Sequence, residues 1–335
     1  MIRNLCFGIL VVALSWTITC LAQVFPPVFS ISPLNISGAP QFSPSIYGHK
    51  VAYNDYRTGS WEVYLYDLIV KQETQITNTS LQYLNSPRIS QRAVVWADYR
   101  GGTTHVWMYD LLTHTQRPVD NVPSEQEFPA IDGANIVWDD TRDRVNHPSD
   151  NGKAIYLYNI VTGQERRITD YVNDKLYADI SGNRVVWVDF DRGHYYESDI
   201  FMTDIRTGEV THITENSTSV NTRPRIWGNT VVWEDYFDTS NPDIYMYDIP
   251  TQTTTRLTFG GVPHAFPVVY GNTIAWQDNS RTPLSDIVTY NIRTRHETWL
   301  TDSTVSHIHP AIYQNSVVWQ DYRNGRSDVF LYYKP

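Results

Sequence analysis

The stretch PRIWGNTVVWED, residues 224–235, contains a five-residue phrase that occurs seven times in this chain. The phrase is a hydrophobic triplet, one variable residue and an aspartate. Its versions, in chain order, are VAYND, VVWAD, IVWDD, VVWVD, VVWED, IAWQD and VVWQD. They end at Asp55, Asp98, Asp140, Asp189, Asp235, Asp278 and Asp321, with successive gaps of 43, 42, 49, 46, 43 and 43 residues. Such a regular period indicates one structural unit used seven times.

Each unit divides into four extended segments. In the fifth unit these are PRIW, TVVWED, DIYMYDI and TTTRLT, with the tight turn Gly228-Asn229 between the first two. β-Branched and aromatic enrichment between turn residues is typical of strands, and four strands per period of about 40–50 residues are typical of a propeller blade. We therefore predict an all-β, seven-bladed β-propeller with four-stranded antiparallel blades starting near residues 44, 87, 129, 178, 224, 267 and 310.

The two ends of the repeat complement each other. The seventh unit reaches Pro335 after its third strand, whereas residues 28–37 form an unassigned strand whose end resembles the fourth strands of the other units. If that segment completes the last blade, the ring closes without an open sheet edge. We therefore expect a single propeller domain over residues 28–335, closed by a strand at 28–37.

Residues 1–22 have the features of an export signal. Arg3 precedes an apolar run, Leu5–Trp16, and Cys20-Leu21-Ala22 ends in a small residue. Two alternatives stay open, because the run could be retained as a membrane anchor and Cys20 could be lipidated. We expect an exported chain, periplasmic, cell-surface or secreted, with no membrane span after signal removal. Cys6 and Cys20 both lie in this segment, so the mature chain would contain neither a thiol nor a disulfide.

Composition narrows the partner classes. The chain has 335 residues, of which 41% are hydrophobic and 13% aromatic, which is too rich for disorder. Its net charge of −10 gives no indication of a nucleic-acid partner or of an anionic membrane surface. We expect a monomer that binds a protein, a peptide or a glycan.

The motifs P-x-I-x-G-N-x-V-V-W-x-D, D-I-Y-x-Y-D and R-x-I/L-T resemble those of the TolB-type, WD40-like propellers of exported proteins. The resemblance covers nearly all of residues 28–335. It implies the propeller fold and a binding scaffold, although such propellers also accompany proteases and occasionally act as enzymes. The chain differs in having Gly-Asn turns where many relatives carry Ser-Pro-Asp-Gly. It also lacks a match to the separate N-terminal domain of TolB.

Loop lengths distinguish the two faces of the predicted ring. The turns between strands one and two, and between three and four, are short and uniform. The loops between strands two and three vary, and the longest lie at residues 141–154 and 190–199. Binding residues are usually carried by variable loops on a rigid scaffold, so we expect the ligand on that face.

The seven repeat aspartates are expected to be structural. A short carboxylate at the end of a strand caps the N–H groups of the following turn, and in four units an arginine follows two residues later. The alternative, a ring of carboxylates that attracts cations, would require a function with sevenfold equivalence. The aromatic residue of each phrase is expected in the core between blades.

Histidines break the repeat before the first strands of the last two units. His264 and His307 occupy equivalent positions, His309 follows, and Arg223 and Glu127 lie at the same level in other blades. We predict that these five residues surround the mouth of the central channel. The three imidazoles could hold a divalent metal ion, which resembles the histidine-rich channel site of oligogalacturonate lyases. The alternative is a set of polar rim residues without metal.

Two functions follow from these features. The first is an exported, non-catalytic module that binds its ligand on the variable face, with no cofactor and no catalytic residue. The second is a metal-dependent polysaccharide lyase or another carbohydrate-active enzyme acting at the channel mouth. The sequence favours the first, because it offers no convincing catalytic base.

Overall fold

The protein is described here by a computed structural model covering residues 30–34, 37–79, 86–145, 152–190, 197–215, 219–237, 241–302 and 304–333. The predicted signal at 1–22 lies outside the described residues, as do parts of both long loops. Within the described ranges, no helix has the length and apolar character needed to cross a membrane.

Seven four-stranded antiparallel sheets make up the fold. Blade 1 contains β2 (Gln41–Tyr47), β3 (Lys50–Asp55), β4 (Glu62–Asp67) and β5 (Gln72–Gln75). Blade 2 contains β6 (Arg88–Ile89), β7 (Ala93–Asp98), β8 (His105–Asp110) and β9 (Thr115–Pro118). Blade 3 contains β10 (Gln126–Asp132), β11 (Asn135–Asp140), β12 (Ala154–Asn159) and β13 (Glu165–Arg167), with a 3-10 turn at Arg142–Val145.

Blade 4 contains β14 (Asp174–Ser181), β15 (Arg184–Phe190), β16 (Ser198–Asp204) and β17 (Val210–His212). Blade 5 contains β18 (Asn221–Trp227), β19 (Thr230–Asp235), β20 (Asp243–Asp248) and β21 (Thr253–Arg256). Blade 6 contains β22 (His264–Tyr270), β23 (Thr273–Asp278), β24 (Asp286–Asn291) and β25 (His296–Trp299). Blade 7 contains β26 (His307–Tyr313), β27 (Ser316–Asp321), β28 (Asp328–Tyr333) and, from the other end of the chain, β1 (Ser30–Pro33).

The N-terminal strand closes the ring. β1 pairs antiparallel with β28, from Ser30 opposite Tyr333 to Pro33 opposite Phe330. Blade 7 also contacts blade 1 directly, because the Gln41 N–H donates to the Ser327 carbonyl at 2.8 Å. The predicted seven-bladed architecture and its closing strand are therefore confirmed. Six first strands begin before the predicted starts, since the residues leading into them are already paired.

The blades are held together by the aromatic residues of the repeat. Trp138 of blade 3, for example, is fully buried against Val95, Val106 and Met108 of blade 2. The corresponding side chains in the other blades are buried in the same way: Tyr53, Trp96, Trp187, Trp233, Trp276 and Trp319. Each large aromatic side chain covers apolar surface that a single sheet would leave exposed. The propeller is therefore stable only when neighbouring blades pack against each other.

The repeat aspartates fix the ends of the second strands. Asp98 accepts the indole N–H of Trp96 at 2.8 Å and the backbone N–H of Arg100 at 3.1 Å, and the Arg100 guanidinium pairs with the same carboxylate. The pattern recurs in blades 3 and 7, with Asp140 and Asp321. These contacts are the turn-capping contacts that the structural interpretation predicts.

Strand direction defines two faces. The short turns between first and second strands, and between third and fourth strands, lie on one face, called here the turn face. The connections between second and third strands, and the links between blades, lie on the other, called here the loop face. The repeat aspartates end the second strands on the loop face.

Candidate functional site at the channel mouth

A local irregularity at the start of each first strand positions the candidate site. In the blades other than blade 2, the pairing of the first strand with the second shifts register after two residues, or after three in blade 4. The residue that directly follows these paired residues, called here the channel residue, adopts a left-handed conformation. The positive φ angles are 53° at Ser43, 47° at Phe128, 56° at Tyr177, 51° at Arg223, 54° at Phe266 and 53° at His309.

At two of these positions the preceding blade holds the left-handed residue in place. Glu234 accepts the backbone N–H of Phe266 at 2.7 Å, and Gln320 accepts that of Ser43 at 3.0 Å. Both acceptors directly precede a repeat aspartate. A non-glycine residue in this conformation costs on the order of 1 kcal/mol, and these bonds offset that cost. Strain of this kind persists where the surrounding structure determines it, and functional sites are common places for it.

The channel residues surround a cavity of about 300 Å³ on the ring axis. Phe128 and Tyr177 contact each other with ring centroids 4.7 Å apart. Phe266 and His309 form an edge-on pair at 4.2 Å, and the Arg223 guanidinium lies 4.7 Å from the Phe266 ring centroid. The cavity therefore offers aromatic faces on two sides.

The charges at the cavity are predominantly positive. Arg88 pairs with Asp179 at 2.9 Å, and Arg225 lies 4.0 Å from the same carboxylate. Arg223 pairs with the buried Glu234 at 2.9 Å. Burial and the neighbouring Arg88 charge lower the pKa of Arg225 to about 10, so its guanidinium is still a cation at neutral pH. Three cations thus face two carboxylates, which favours an anionic ligand.

His309 belongs to the channel. Its Nδ1 lies 2.5 Å from the Gln320 side-chain oxygen, so Nδ1 carries the proton and Nε2 is the acceptor in the neutral ring. Burial lowers the pKa of His309, although the bond to Gln320 acts in the opposite direction. Arg223 and His309 are therefore the two predicted binding residues that line the cavity.

The other two histidines lie between blades instead. His264 is buried, with Nδ1 3.0 Å from Asp243 of blade 5 and Nε2 3.6 Å from Asp278 of its own blade. His307 is equally enclosed, 3.4 Å from Asp286 of blade 6 and 3.4 Å from Asp321. Neither lines the channel cavity. The left-handed residue at 309 breaks strand alternation, so His307 and His309 do not share a face.

The predicted convergence of three imidazoles is not seen, because each ring contacts a different partner. No group of three or more histidine, cysteine, aspartate or glutamate side chains suited to a metal ion occurs within the described ranges. The donor set around the cavity, one imidazole among guanidinium groups, does not fit a divalent cation. A metal ion at the channel mouth stays a prediction that the geometry of these residues does not support.

Glu127 lies in an ion pair outside the cavity lining. It forms an ion pair with Lys153 at 2.6 Å, and Lys153 also contacts Asp139 at 3.0 Å. Burial raises the pKa of Asp139 to about 7, against the opposing effect of the Lys153 charge. Lys153 directly precedes β12, so this group links the long blade 3 loop to the strand start at Glu127. Glu127 is not among the residues that line the cavity.

Sequence reasoning missed the aromatic part of the site. Phe128, Tyr177 and Phe266 occupy the place in their blades that His309 occupies in blade 7. An alignment of the strand starts QEFP, KLYA, NTRP, HAFP and HIHP by position would have grouped them. The signal was present in the sequence, but the predicted set contained His264 and His307, which lie two positions before the channel residues Phe266 and His309.

Comparisons with known proteins agree on the fold. No family model matches the chain, and no curated protein matches it. Among solved structures it is similar to an oligogalacturonate lyase in complex with manganese, with a TM-score of 0.67 and 15% identity over 93% of this chain and 97% of that one. An oligogalacturonate lyase from Vibrio parahaemolyticus gives a TM-score of 0.69 and 15% identity over 92% and 97%. TolB from Acinetobacter baumannii gives a TM-score of 0.55 and 16% identity over 79% of this chain and 67% of that one.

Both resemblances noted in the sequence are thus confirmed at the level of fold. The chain is a closed seven-bladed β-propeller with an aromatic and cationic channel mouth on its loop face. At these identities, the comparisons leave the ligand and the activity to be inferred from the site.

Proposed function

We propose that this protein is a non-catalytic binding module that takes an acidic glycan into the channel mouth on its loop face. The observation that carries the proposal is the combination of Arg88, Arg223 and Arg225 with aromatic channel residues around one cavity. Guanidinium groups bind carboxylates through paired N–H donors, and aromatic faces provide apolar surface for a ring-shaped ligand.

The size of the cavity favours a chain end over the middle of a polymer. About 300 Å³ is at the lower limit for small-molecule sites. A terminal sugar with its carboxylate fits this space, and the remaining units would extend over the loop face. There they would meet the loops at 141–154 and 190–199, which form part of the proposed surface.

The lining side chains support a binding role without catalysis. Within the described residues, the cavity wall includes His309 as its only group suited to accept a proton at neutral pH, and no carboxylate. Guanidinium groups are protonated throughout and serve as poor bases. A binding site needs only the charges and the aromatic faces, which are present.

A lyase is the second candidate, favoured by one observation. His309 is a neutral imidazole beside the cationic Arg223, so the pair could remove a proton next to a carboxylate and stabilise the resulting anion. Similarity in fold to an oligogalacturonate lyase in complex with manganese adds to this candidate. Its metal would require ligands other than His264 and His307 in their present contacts.

The test measures binding and turnover in the same samples. Oligogalacturonate should bind the parent protein, whereas a neutral oligosaccharide of equal length should not. Arg223→Ala should weaken binding at least tenfold, about 1.4 kcal/mol, while Arg293→Ala on the turn face should leave binding unchanged. Equal binding of both oligosaccharides would contradict the proposal. New ultraviolet absorbance from an unsaturated product, lost on metal removal, would favour the lyase.

Export is part of the same proposal. It is supported by Arg3 and the apolar run Leu5–Trp16 in the sequence. A binding module for acidic glycans would meet its ligand outside the cytoplasm. Fractionation of cells that express the full chain, with N-terminal sequencing of the product, tests export and signal cleavage together.

A further inference from the structure

The turns between third and fourth strands share one design. In blade 1, Asp67 ends the third strand and accepts the N–H of Ile69 at 2.9 Å. The intervening residue, Leu68, packs against the core. The second residue of the turn is therefore held outward, and it is called here the tip residue. The tip residues of blades 1 to 6 are Ile69, Leu112, Val161, Arg206, Pro250 and Arg293.

The tips of three adjacent blades are aliphatic and exposed. Ile69, Leu112 and Val161 expose 71%, 72% and 75% of their surface, and Val70, next to Ile69, exposes 60%. The turn does not require apolar residues there, because Arg206 and Arg293 receive the same backbone cap in blades 4 and 6. Folding therefore does not explain the aliphatic tips. Exposed apolar side chains grouped on one edge are typical of an interaction surface.

The charged residues beside these tips are basic. In the turns and fourth strands of blades 1 to 3, the exposed charged side chains are Lys71, Arg117, Arg166 and Arg167, of which Arg167 pairs at 3.0 Å with Asp143 of the loop face and the other three remain for the turn-face edge. The two acids of those strands are half-buried and paired, Glu73 with Arg57 and Glu165 with Arg142. This edge is positive although the whole chain carries −10. The net charge of the whole chain therefore does not describe this edge. The absence of any indication of an anionic membrane surface, which was drawn from that net charge, does not extend to the edge.

The N-terminal segment joins the propeller on the same face. Ser30 lies opposite Tyr333, at the turn-face end of β28. The residues before Ser30 include the apolar run Leu5–Trp16 and Cys20. Blade 7 neighbours blade 1, and Ile69 helps line a cavity of about 750 Å³ that β1 borders. The aliphatic tips thus begin beside the point where the N-terminal segment joins the propeller.

We propose that the turn-face edge of blades 1 to 3 rests on an anionic lipid surface. Ile69, Leu112 and Val161 enter the interface between headgroups and acyl chains, and the adjacent lysine and arginine side chains contact lipid phosphates. Shallow apolar insertion combined with basic residues is the mode by which peripheral proteins bind such surfaces. The loop face and the channel mouth then point away from the membrane and stay accessible. This inference does not depend on the ligand proposed for the channel.

The experiment is vesicle flotation of the full chain carrying Leu10→Asp and Leu14→Asp, which remove the affinity of the apolar run itself. This parent should bind vesicles of equal phosphatidylglycerol and phosphatidylcholine at least tenfold more tightly than vesicles of phosphatidylcholine alone. Adding Ile69→Ser, Leu112→Ser and Val161→Ser should lower that affinity at least tenfold.

The matched control removes exposed aliphatic side chains from the other face. Val172→Ser with Leu284→Ser, on the loop face, should bind phosphatidylglycerol vesicles as the parent does. Unchanged melting temperatures without vesicles exclude unfolding as the cause. The proposal is overturned if the parent does not float with phosphatidylglycerol vesicles, if the turn-face variant binds as the parent does, or if the control loses as much affinity.

Discussion

The carboxylate of Glu234 accepts the backbone N–H of Phe266 at 2.7 Å, so the second strand of blade 5 fixes the channel residue of blade 6. The same side chain pairs with Arg223, the channel residue of its own blade, at 2.9 Å. Two neighbouring positions of the channel wall therefore depend on one buried acid. The channel mouth is consequently assembled by contacts between blades, and its geometry requires a closed ring.

Replacement of Glu234 tests this dependence. Glu234→Ala leaves the Phe266 N–H and the Arg223 guanidinium without their acceptor, and should lower the free energy of unfolding by about 3 kcal/mol or more. Glu234→Gln keeps an acceptor for the N–H and loses only the charge, so it should cost roughly half as much. Urea unfolding measures both. Equal losses for the two variants would show that the N–H bond contributes nothing.

The indole of Trp138 contributes both packing and a hydrogen bond. It is buried against blade 2, and its N–H donates to Asp140 at 2.9 Å. Trp138→Ala should destabilise the protein by about 3–5 kcal/mol through the cavity it leaves. Trp138→Phe retains most of the apolar surface and should cost clearly less. Thermal unfolding distinguishes them, and a Phe variant as unstable as the Ala variant would mean that the bond to Asp140 outweighs packing.

The role of His264 can be tested by replacing it with the residue that occupies the equivalent position in other blades. Gln41 and Gln126 occupy its place in blades 1 and 3 and donate to Asp55 and Asp140. His264→Gln should therefore cost no more than about 1 kcal/mol, whereas His264→Leu should cost about 2 kcal/mol or more because it leaves Asp243 and Asp278 without that partner. Metal analysis of the parent and of His264→Gln should give the same content. Metal lost in the Gln variant would restore the metal interpretation of this residue.

The spacing of the repeat predicted the fold because its cause is local. In blades 2, 3, 6 and 7 the indole and the following turn both donate to the repeat aspartate, as Trp96 and Arg100 do to Asp98. A local requirement that recurs in four blades leaves a period in the sequence, whereas in blade 5 the indole of Trp233 donates to Asn221 instead. The closing strand was predictable because the repeat is incomplete at both ends. The seventh unit lacks a fourth strand, and the segment at 28–37 is a strand without a unit, so each can complete the other.

The site was only partly predictable, because non-local contacts determine its backbone. His309 has a left-handed conformation although it is neither a glycine nor an asparagine, the residues that would indicate one in a sequence. Its Nδ1–H donates to the side-chain oxygen of Gln320. Without that knowledge, residues 307 and 309 are expected on the same face. His307 could have been placed, since it lies opposite Asp321 in the strand pairing. Its neighbour from blade 6, Asp286, could not be identified before the blades were packed.

The protonation of His309 should make stability depend on pH. Burial lowers the pKa of this imidazole in the folded state, so the unfolded chain binds the proton more readily. Its contribution to stability is thus complete above the ordinary imidazole value of about 6.5 and is lost as the pH falls through the lower, folded value. His309→Gln should reduce the acid slope of the unfolding free energy by up to about 1.4 kcal/mol per pH unit. Urea unfolding at pH 5 to 8 measures it, with His114→Gln on the exposed turn face as control. A slope unchanged by His309→Gln, or reduced equally by the control, would contradict the assignment of a neutral imidazole to the channel wall.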